Sequence, residues 1–463
     1  MKHLFLFIAI ILGTYITEAQ VVTGKVSSMG KGIPNVIVSD GTNFTKTDKQ
    51  GRYSIDTHEN SKFVFLVTPG GYIADWSSGT PAFYKEISSS SIDFELNKFP
   101  TKNRYNIIAI ADPQPSKKAH FEKFLEAPLT DLVETATALD GTTIGIVLGD
   151  ICSDAFEFMP RWKEEILRVG VPFYPVVGNH DHDRKFKNDT ESINVYQSHF
   201  GPENYAFFLG KDLIIVLDNI IYGLDGKRYK EGYTDACLDW VEKLLAFIPK
   251  GTDIYIAQHS PLNGRRYRNM IINHQKILDL LKSHKVVFMS GHNHCNGVFN
   301  HSDNAIEHNI AAISGAHWAT YHCRDGSPSG YKVFTKSKGR LSWYYKSIGK
   351  PKDFQIEVFD IGQSTLHPES IIVNVWDYDP SWKVEWYQDG KYMGMMKKVE
   401  DLSPIRMEEV RKYEEKKGKP MPKYNVTIKS KHYFKATPTK GANSIKIKVT
   451  DRFGNEYREI IKY

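Results

Sequence analysis

Five short polar clusters carry the chemistry of this chain: Asp112-Pro113-Gln114, Gly149-Asp150, Gly178-Asn179-His180-Asp181, His259, and Gly291-His292-Asn293-His294. Carboxylate, carboxamide and imidazole are the donors that hard and borderline divalent ions accept, and here they come without a set of soft thiolates. Asp150 is suited to bridging, because one carboxylate has two oxygens and enough charge to serve two cations ~3.5 to 4 Å apart. Cations at that spacing lower the pKa of a water, clamp phosphoryl oxygens and stabilise charge on attacking and leaving groups, which suits in-line hydrolysis of a phosphate ester. Taken singly, Asp112, Gln114 and Asp150 are equally at home as strand-end caps, Asn179 as a turn residue, and His259, His292 and His294 as hydrogen-bonded loop histidines. The information lies in their joint placement.

Each cluster ends an apolar, strand-like run: IIAIA, TIGIVL, FYPVV, DIYIAQ and KVVFMS in turn. The carboxyl ends of strands in an open α/β sheet face one crevice, so loops far apart in sequence can meet there. Between about 102 and 347 such strands alternate with amphipathic segments at 116–138, 157–169, 234–248 and 271–283. That alternation predicts an α/β sandwich whose central strands are buried on both faces. Residues 20–98 hold short alternating runs broken by Gly, Pro and Asn, the pattern of a small antiparallel sandwich. From 351 to 463 strands return, interrupted by a charged stretch, Met407 to Lys419, that reads as a solvated helix or insert. Trp376, Tyr378, Trp382, Trp386 and Tyr387 cluster there, as a sandwich core or as a platform for a carbohydrate.

The five clusters, in this order, resemble the calcineurin-like metallophosphoesterase family, whose pattern is D-x-H, G-D, G-N-H-[DE], H, G-H-x-H. The resemblance implies a four-layer α/β sandwich of the metallophosphoesterase type, flanked by two small all-β domains. Carried over by position, it implies one metal held by Asp112, Gln114, Asp150 and His294, and a second held by Asp150, Asn179, His259 and His292. The pair would be divalent or trivalent ions of the Mn, Fe, Zn, Mg or Ca kind. His180 is then no ligand but a donor toward the leaving oxygen, oriented by Asp181. Gln114 departs from the family, which most often has His there; a carboxamide oxygen coordinates more weakly than imidazole, leaving metal identity open. The piece GKGIPNVIVSDGTNFTKTDKQGRYSI resembles a carboxypeptidase-regulatory-like or prealbumin-like module. With both flanking modules the chain resembles exported bacterial three-domain phosphoesterases. Arg265, Arg266 and Arg268, with His317, Trp318 and Asp325 in a Gly-rich region, are candidate substrate contacts at the rim, set against solvated or packed loop residues.

Residues 1–19 combine Lys2 and His3, an apolar run from Leu4 to Ile16 and the exit Thr17-Glu18-Ala19, the form of a secretory signal peptide. The apolar run is shorter than the ~20 residues of a spanning helix, so no transmembrane segment is expected after its removal, and the chain is expected in a periplasm or outside the cell. A formal net charge of +6, with Lys and Arg interspersed among Asp and Glu, gives no basic stripe for nucleic acid. Cys152, Cys237, Cys295 and Cys323 lack CxxC spacing and read as packing residues. The expectation is an exported metal-dependent hydrolase of phosphomonoesters or phosphodiesters; the alternative is a metal-containing binding protein for phosphorylated or acidic glycans.

Overall fold

The computed structural model describes residues 20–223 and 229–463; the signal-peptide expectation for 1–19 lies outside them. Two mixed sheets form the central part. In the first, Phe173–Pro175, Thr142–Val147 and Arg104–Ile110 run parallel, and Gly330–Ser337 and Arg340–Ser347 extend the sheet antiparallel. In the second, Asp212–Val216, Ile254–Ala257, Val286–Ser290 and Ala305–Asn309 run parallel between antiparallel edges Tyr205–Leu209 and Gly297–Ser302.

The period of two along a strand decides which core each side chain joins. Ile107 and Ala109 face the second sheet, whereas Ile108 and Ile110 meet the helices Lys118–Glu126, Pro128–Ala138 and Phe158–Ile166. Phe158–Ile166 is helical because Met159, Trp162 and Ile166 recur at helical spacing and bury together. On the second sheet, Asp235–Leu245 starts where Thr234 Oγ1 accepts from Cys237 N at 3.1 Å, and it buries Leu238, Val241 and Leu244. Tyr174 stacks on Phe207 at 3.7 Å between the two sheets.

Residues before the first sheet form a five-stranded and a four-stranded sheet. They dock on the second sheet's edge: Phe208 N donates to Thr68 O at 2.9 Å, Phe83 packs on Tyr205 at 4.5 Å, and Trp240 Nε1 donates to Ser39 Oγ at 3.2 Å. After Ser347 two four-stranded sheets follow. Trp376, Trp382 and Trp386 are 1%, 6% and 9% exposed, so these aromatics are core and not a platform. The charged stretch is a helix, Pro404–Lys417, capped by Ser403 and closed by left-handed Gly418. No helix among the described residues is long and apolar enough to cross a membrane. All four cysteines are buried and free.

The C-terminal strands join the centre through buried polar groups beside an apolar patch in which Trp376 packs with Ala311, Ala312 and Tyr345. Lys332 Nζ meets Asp377 Oδ1 at 2.5 Å, Asn296 Nδ2 donates to Trp376 O at 2.9 Å, and Asn374 Nδ2 donates to Gly326 O at 2.9 Å. His322 is gripped by Glu409 (Nδ1 to Oε1, 2.9 Å) and faces Glu357 at 3.5 Å, an ion contact. Burial opposes its charge, but the two carboxylates outweigh that and hold it up to about 9. A folded-state pKa above the unfolded ~6.5 contributes stability below pH ~6.5 that is lost as pH rises toward 9. Denaturant titrations at pH 6.5 and 9.5 are expected to show a loss on the order of 1 to 3 kcal/mol in the native chain that is absent in His322→Gln. Equal losses in both would remove His322 as the titrating group.

Candidate metal centre

The five clusters leave neighbouring parallel strands at their carboxyl ends, three from the first sheet and two from the second. Their exits are sharp. Asp112, Gln114, Asp150, His292 and His294 all have left-handed backbone, φ 51, 41, 51, 69 and 50°, a conformation that costs a non-glycine residue ~1 to 2 kcal/mol. Strain concentrated on side chains that converge on one point is a mark of function. Gly149 (φ 80°) allows the approach of two loops, since a Cβ there would sit 2.5 Å from His259 Nδ1. A Cβ on Gly178 would lie 2.2 Å from Asp150 N.

All seven candidate ligands come together around Asp150. Its Oδ1 accepts from His180 N at 2.8 Å and lies 3.4 Å from His259 Nε2, while Gln114 Nε2 donates to its Oδ2. His259 Nε2 is 3.1 Å from Asn179 Oδ1 and 3.1 Å from His292 Nδ1, and its Nδ1 bonds Leu148 O at 2.7 Å. Donor atoms of Asp150, His259 and His292 lie within 4.8 Å of one another. On the other side Asp112 Oδ2 accepts from His292 N at 2.9 Å, and Asp112 Oδ1 lies 3.6 Å from His294 Nε2.

These residues fit cations better than they fit one another. Asp112 Oδ1 and Gln114 Oε1 are buried with no hydrogen-bond partner, an arrangement that costs ~1 to 3 kcal/mol or more per group unless something coordinates them. Two imidazole nitrogens, His259 Nε2 and His292 Nδ1, face each other and need a shared proton or ion. Burial pushes Asp112 up, with Asp150 adding to the effect. Burial acts likewise on Asp150, but His259 and His180 outweigh it and keep that carboxyl ionised. Burial pushes His294 well down, leaving a neutral imidazole of the kind that can coordinate an ion.

The centre opens on a cavity of about 940 Å³, whose wall includes His180, Arg184, Arg265, Arg266, His317 and Arg324. His180 Nδ1 lies 3.1 Å from Asp154 Oδ2, leaving Nε2 for the cavity. Asp181 does not orient this ring, contrary to the sequence expectation: its carboxylate accepts from the backbone N–H groups of Gly178, Ile151 and Cys152 at 2.8, 3.2 and 3.3 Å, and so shapes the loop instead. Trp318 is not a rim contact either, because its Nε1 donates to Pro113 O at 2.9 Å from behind the wall. Asp325 is 2% exposed and accepts from Asn296 N at 2.8 Å and Ser327 Oγ at 2.8 Å, with His432 Nε2 at 3.2 Å; it fastens the C-terminal strands. Arg268 does not line the cavity.

Sequence reasoning missed several residues. Glu231 Oε1 holds His292 Nε2 at 2.9 Å, the carboxylate–imidazole contact that orients metal-binding histidines. His317 stacks on His294 (4.1 Å, 16°) and its Nδ1 meets Asn425 Oδ1 at 2.8 Å, so the C-terminal strands' connections reach the centre. Glu231 and Asn425 stand in no motif; only Arg324, beside Asp325, lay next to a residue the sequence had singled out.

Three family models match the chain: calcineurin-like phosphoesterase over 105–296, the N terminal of calcineurin-like phosphoesterase over 20–99, and the C terminal of calcineurin-like phosphoesterase over 307–457. The C-terminal match begins inside the second sheet's strand Ala305–Asn309 and takes in the last two strands of the first sheet. The chain is similar to a probable glycerophosphodiester phosphodiesterase GpdQ of Arcobacter nitrofigilis, 26% identical over 156 residues, which is 32% of this chain. The match spans 55% of that relative's length. Weaker structural likenesses are to a dimetal phosphatase from Danio rerio (16% identity, 52% of this chain and 98% of that one, TM-score 0.36) and to purple acid phosphatase PPD1 from yellow lupin (12%, 68% and 67%, TM-score 0.38). With three of its models running in order from residue 20 to 457, the chain belongs to the calcineurin-like phosphoesterases, a family of metal-dependent phosphoester hydrolases.

Proposed function

We propose that this chain is an exported dinuclear metallophosphoesterase that hydrolyses a phosphomonoester or phosphodiester, with His180 assisting the leaving group. The observation that carries the reading is the pair of buried, partnerless oxygens, Asp112 Oδ1 and Gln114 Oε1, beside the facing nitrogens His259 Nε2 and His292 Nδ1. Asp112, Gln114, Asp150 and His294 would hold one ion, and Asp150, Asn179, His259 and His292 the other, in a sandwich we read as four-layered. When bound, the ions supply charge neutralisation of the phosphoryl oxygens and an activated water. The relative named as a probable glycerophosphodiester phosphodiesterase supports including diesters among candidate substrates. Export rests on the sequence of residues 1–19.

The chain's own part is positioning and proton supply. Asp154 Oδ2 and Arg184 Nη2 each lie 3.1 Å from His180 Nδ1, and Arg184 Nε lies 3.3 Å from Asp154 Oδ1, so carboxylate and guanidinium together fix the ring through Nδ1. His180 Nε2 then faces the cavity where a leaving oxygen would gain a proton. Glu231 keeps His292 turned with Nδ1 toward the centre.

Elemental analysis of metal-supplemented Asp150→Ala is expected to find both ions lost, with hydrolysis of p-nitrophenyl phosphate and bis-p-nitrophenyl phosphate reduced at least ~1000-fold; two retained ions would rule out the bridge. Silence of the native chain on both esters with every metal tried would turn the reading toward a binding protein for phosphorylated or acidic glycans. His180→Ala is expected to slow esters with poor leaving groups by roughly 100- to 10,000-fold and nitrophenyl esters far less. Asp154→Asn should show the same pattern more weakly, and an equal loss on both kinds of leaving group would remove the proton-donor role.

A further inference from the structure

The metal centre and His180 occupy only part of the cavity; another part of its wall carries Arg265, Arg266 and Arg324. Arg324 is 8% exposed, and its hydrogen bond is from Nε to Val426 O at 3.4 Å; among the described residues no carboxylate pairs with it. An all but buried guanidinium without a counter-ion is costly unless a ligand brings the anion. All three arginines line the same cavity; burial, with the charges of Arg266 and Arg265, presses the Arg324 pKa down, while Asp325 acts the other way. Arg265 and Arg266 are exposed and Asp325 offsets part of their repulsion of Arg324; an anion in the cavity would offset the rest.

The loop bearing two of these arginines is built with care. Arg266 and Tyr267 both adopt left-handed backbone, φ 59 and 54°. Arg266 N donates to Asn293 Oδ1 at 2.7 Å, Asn293 Nδ2 donates to Gly264 O at 3.1 Å, and Arg265 N donates to Glu231 Oε2 at 2.7 Å. Asn293 lies between the candidate ligands His292 and His294, and Glu231 holds His292, so the arginine loop is pinned to the same residues that set the metal centre. Arg184, the other guanidinium on the wall, is already matched by Asp154.

We propose that Arg265, Arg266 and Arg324 form a subsite for a second anionic group of the substrate, so that the natural ester carries a phosphate or a carboxylate beyond its scissile phosphate. The inference rests on the phosphoesterase reading for the first phosphate alone. Guanidinium forks match either anion in bidentate fashion.

The test compares phenyl phosphate, 4-carboxyphenyl phosphate and 1,4-phenylene bisphosphate on the full chain supplemented with Mn²⁺. KM is read where turnover occurs and calorimetric Kd where it does not, so failure of hydrolysis leaves the subsite measurable. The native chain is expected to favour at least one doubly anionic ester over phenyl phosphate by about 10-fold or more, beyond the twofold that two equivalent ends give the bisphosphate. The larger preference tells whether the second group is carboxylate or phosphate. In Arg324→Gln and in Arg266→Gln the preference is expected to fall to about twofold or less; the exposed Arg266 serves should Arg324→Gln not fold. No preference in the native chain, or a preference that survives both substitutions, overturns the subsite.

Discussion

Charge that cannot be left alone governs this molecule. Asp112, Asp150, His259 and His294 are 0–4% exposed and packed together, and two oxygens of the cluster, Asp112 Oδ1 and Gln114 Oε1, have no protein partner. Such a cluster survives only if protons or cations complete it, and the scaffold must hold it against its own repulsion. Parallel strands from two sheets do so: all of them but the edge strand Phe173–Pro175 are fixed by a ladder on both sides. The left-handed turns at five of the seven candidate ligands are the local cost, offset by the cores on either face of the first sheet.

The outer β-modules serve that constraint unequally. The N-terminal strands pack on the second sheet's edge through Thr68, Phe83 and Ser39, away from the cavity, and enlarge the core. The C-terminal part reaches the chemistry: Asn425 fixes His317, which stacks on His294, and Tyr424 lines the cavity. Its seam is buried and, beside the apolar patch around Trp376, strongly polar, with Lys332 on Asp377 and Asp325 on His432 and Asn296. Ion pairs and hydrogen bonds have directions, so such a seam specifies a docking geometry where an apolar one would permit sliding.

The clusters and their strands were legible in the sequence because both are local signals: a short continuous apolar run and a polar residue at its end. What escaped depended on where a side chain points after a turn. Asp181 and Asp154 are both acidic residues near His180, but the loop turns Asp181 inward to its own amides and leaves Asp154 against the ring. Asp325 and Arg324 are adjacent in a Gly-rich stretch, and one faces the seam while its neighbour faces the cavity. Glu231 is distant in sequence from the histidine it holds, and no spacing rule links them.

Gln114 shows how a departure from a family pattern can be absorbed. Its Nε2 donates to Asp150 Oδ2 while Oε1 stays partnerless, so one side chain steadies the Asp150 carboxylate and leaves an oxygen free for an ion. Imidazole and carboxamide are both neutral, so the exchange leaves the charge of the centre unchanged and alters only the kind of donor atom. On the proposed division of ligands, one ion would then see three oxygen donors and a single imidazole, the other two oxygens and two imidazoles. Oxygen-rich sets favour harder ions, so on that division the two positions would differ in the metal they prefer, an asymmetry that would follow from one residue.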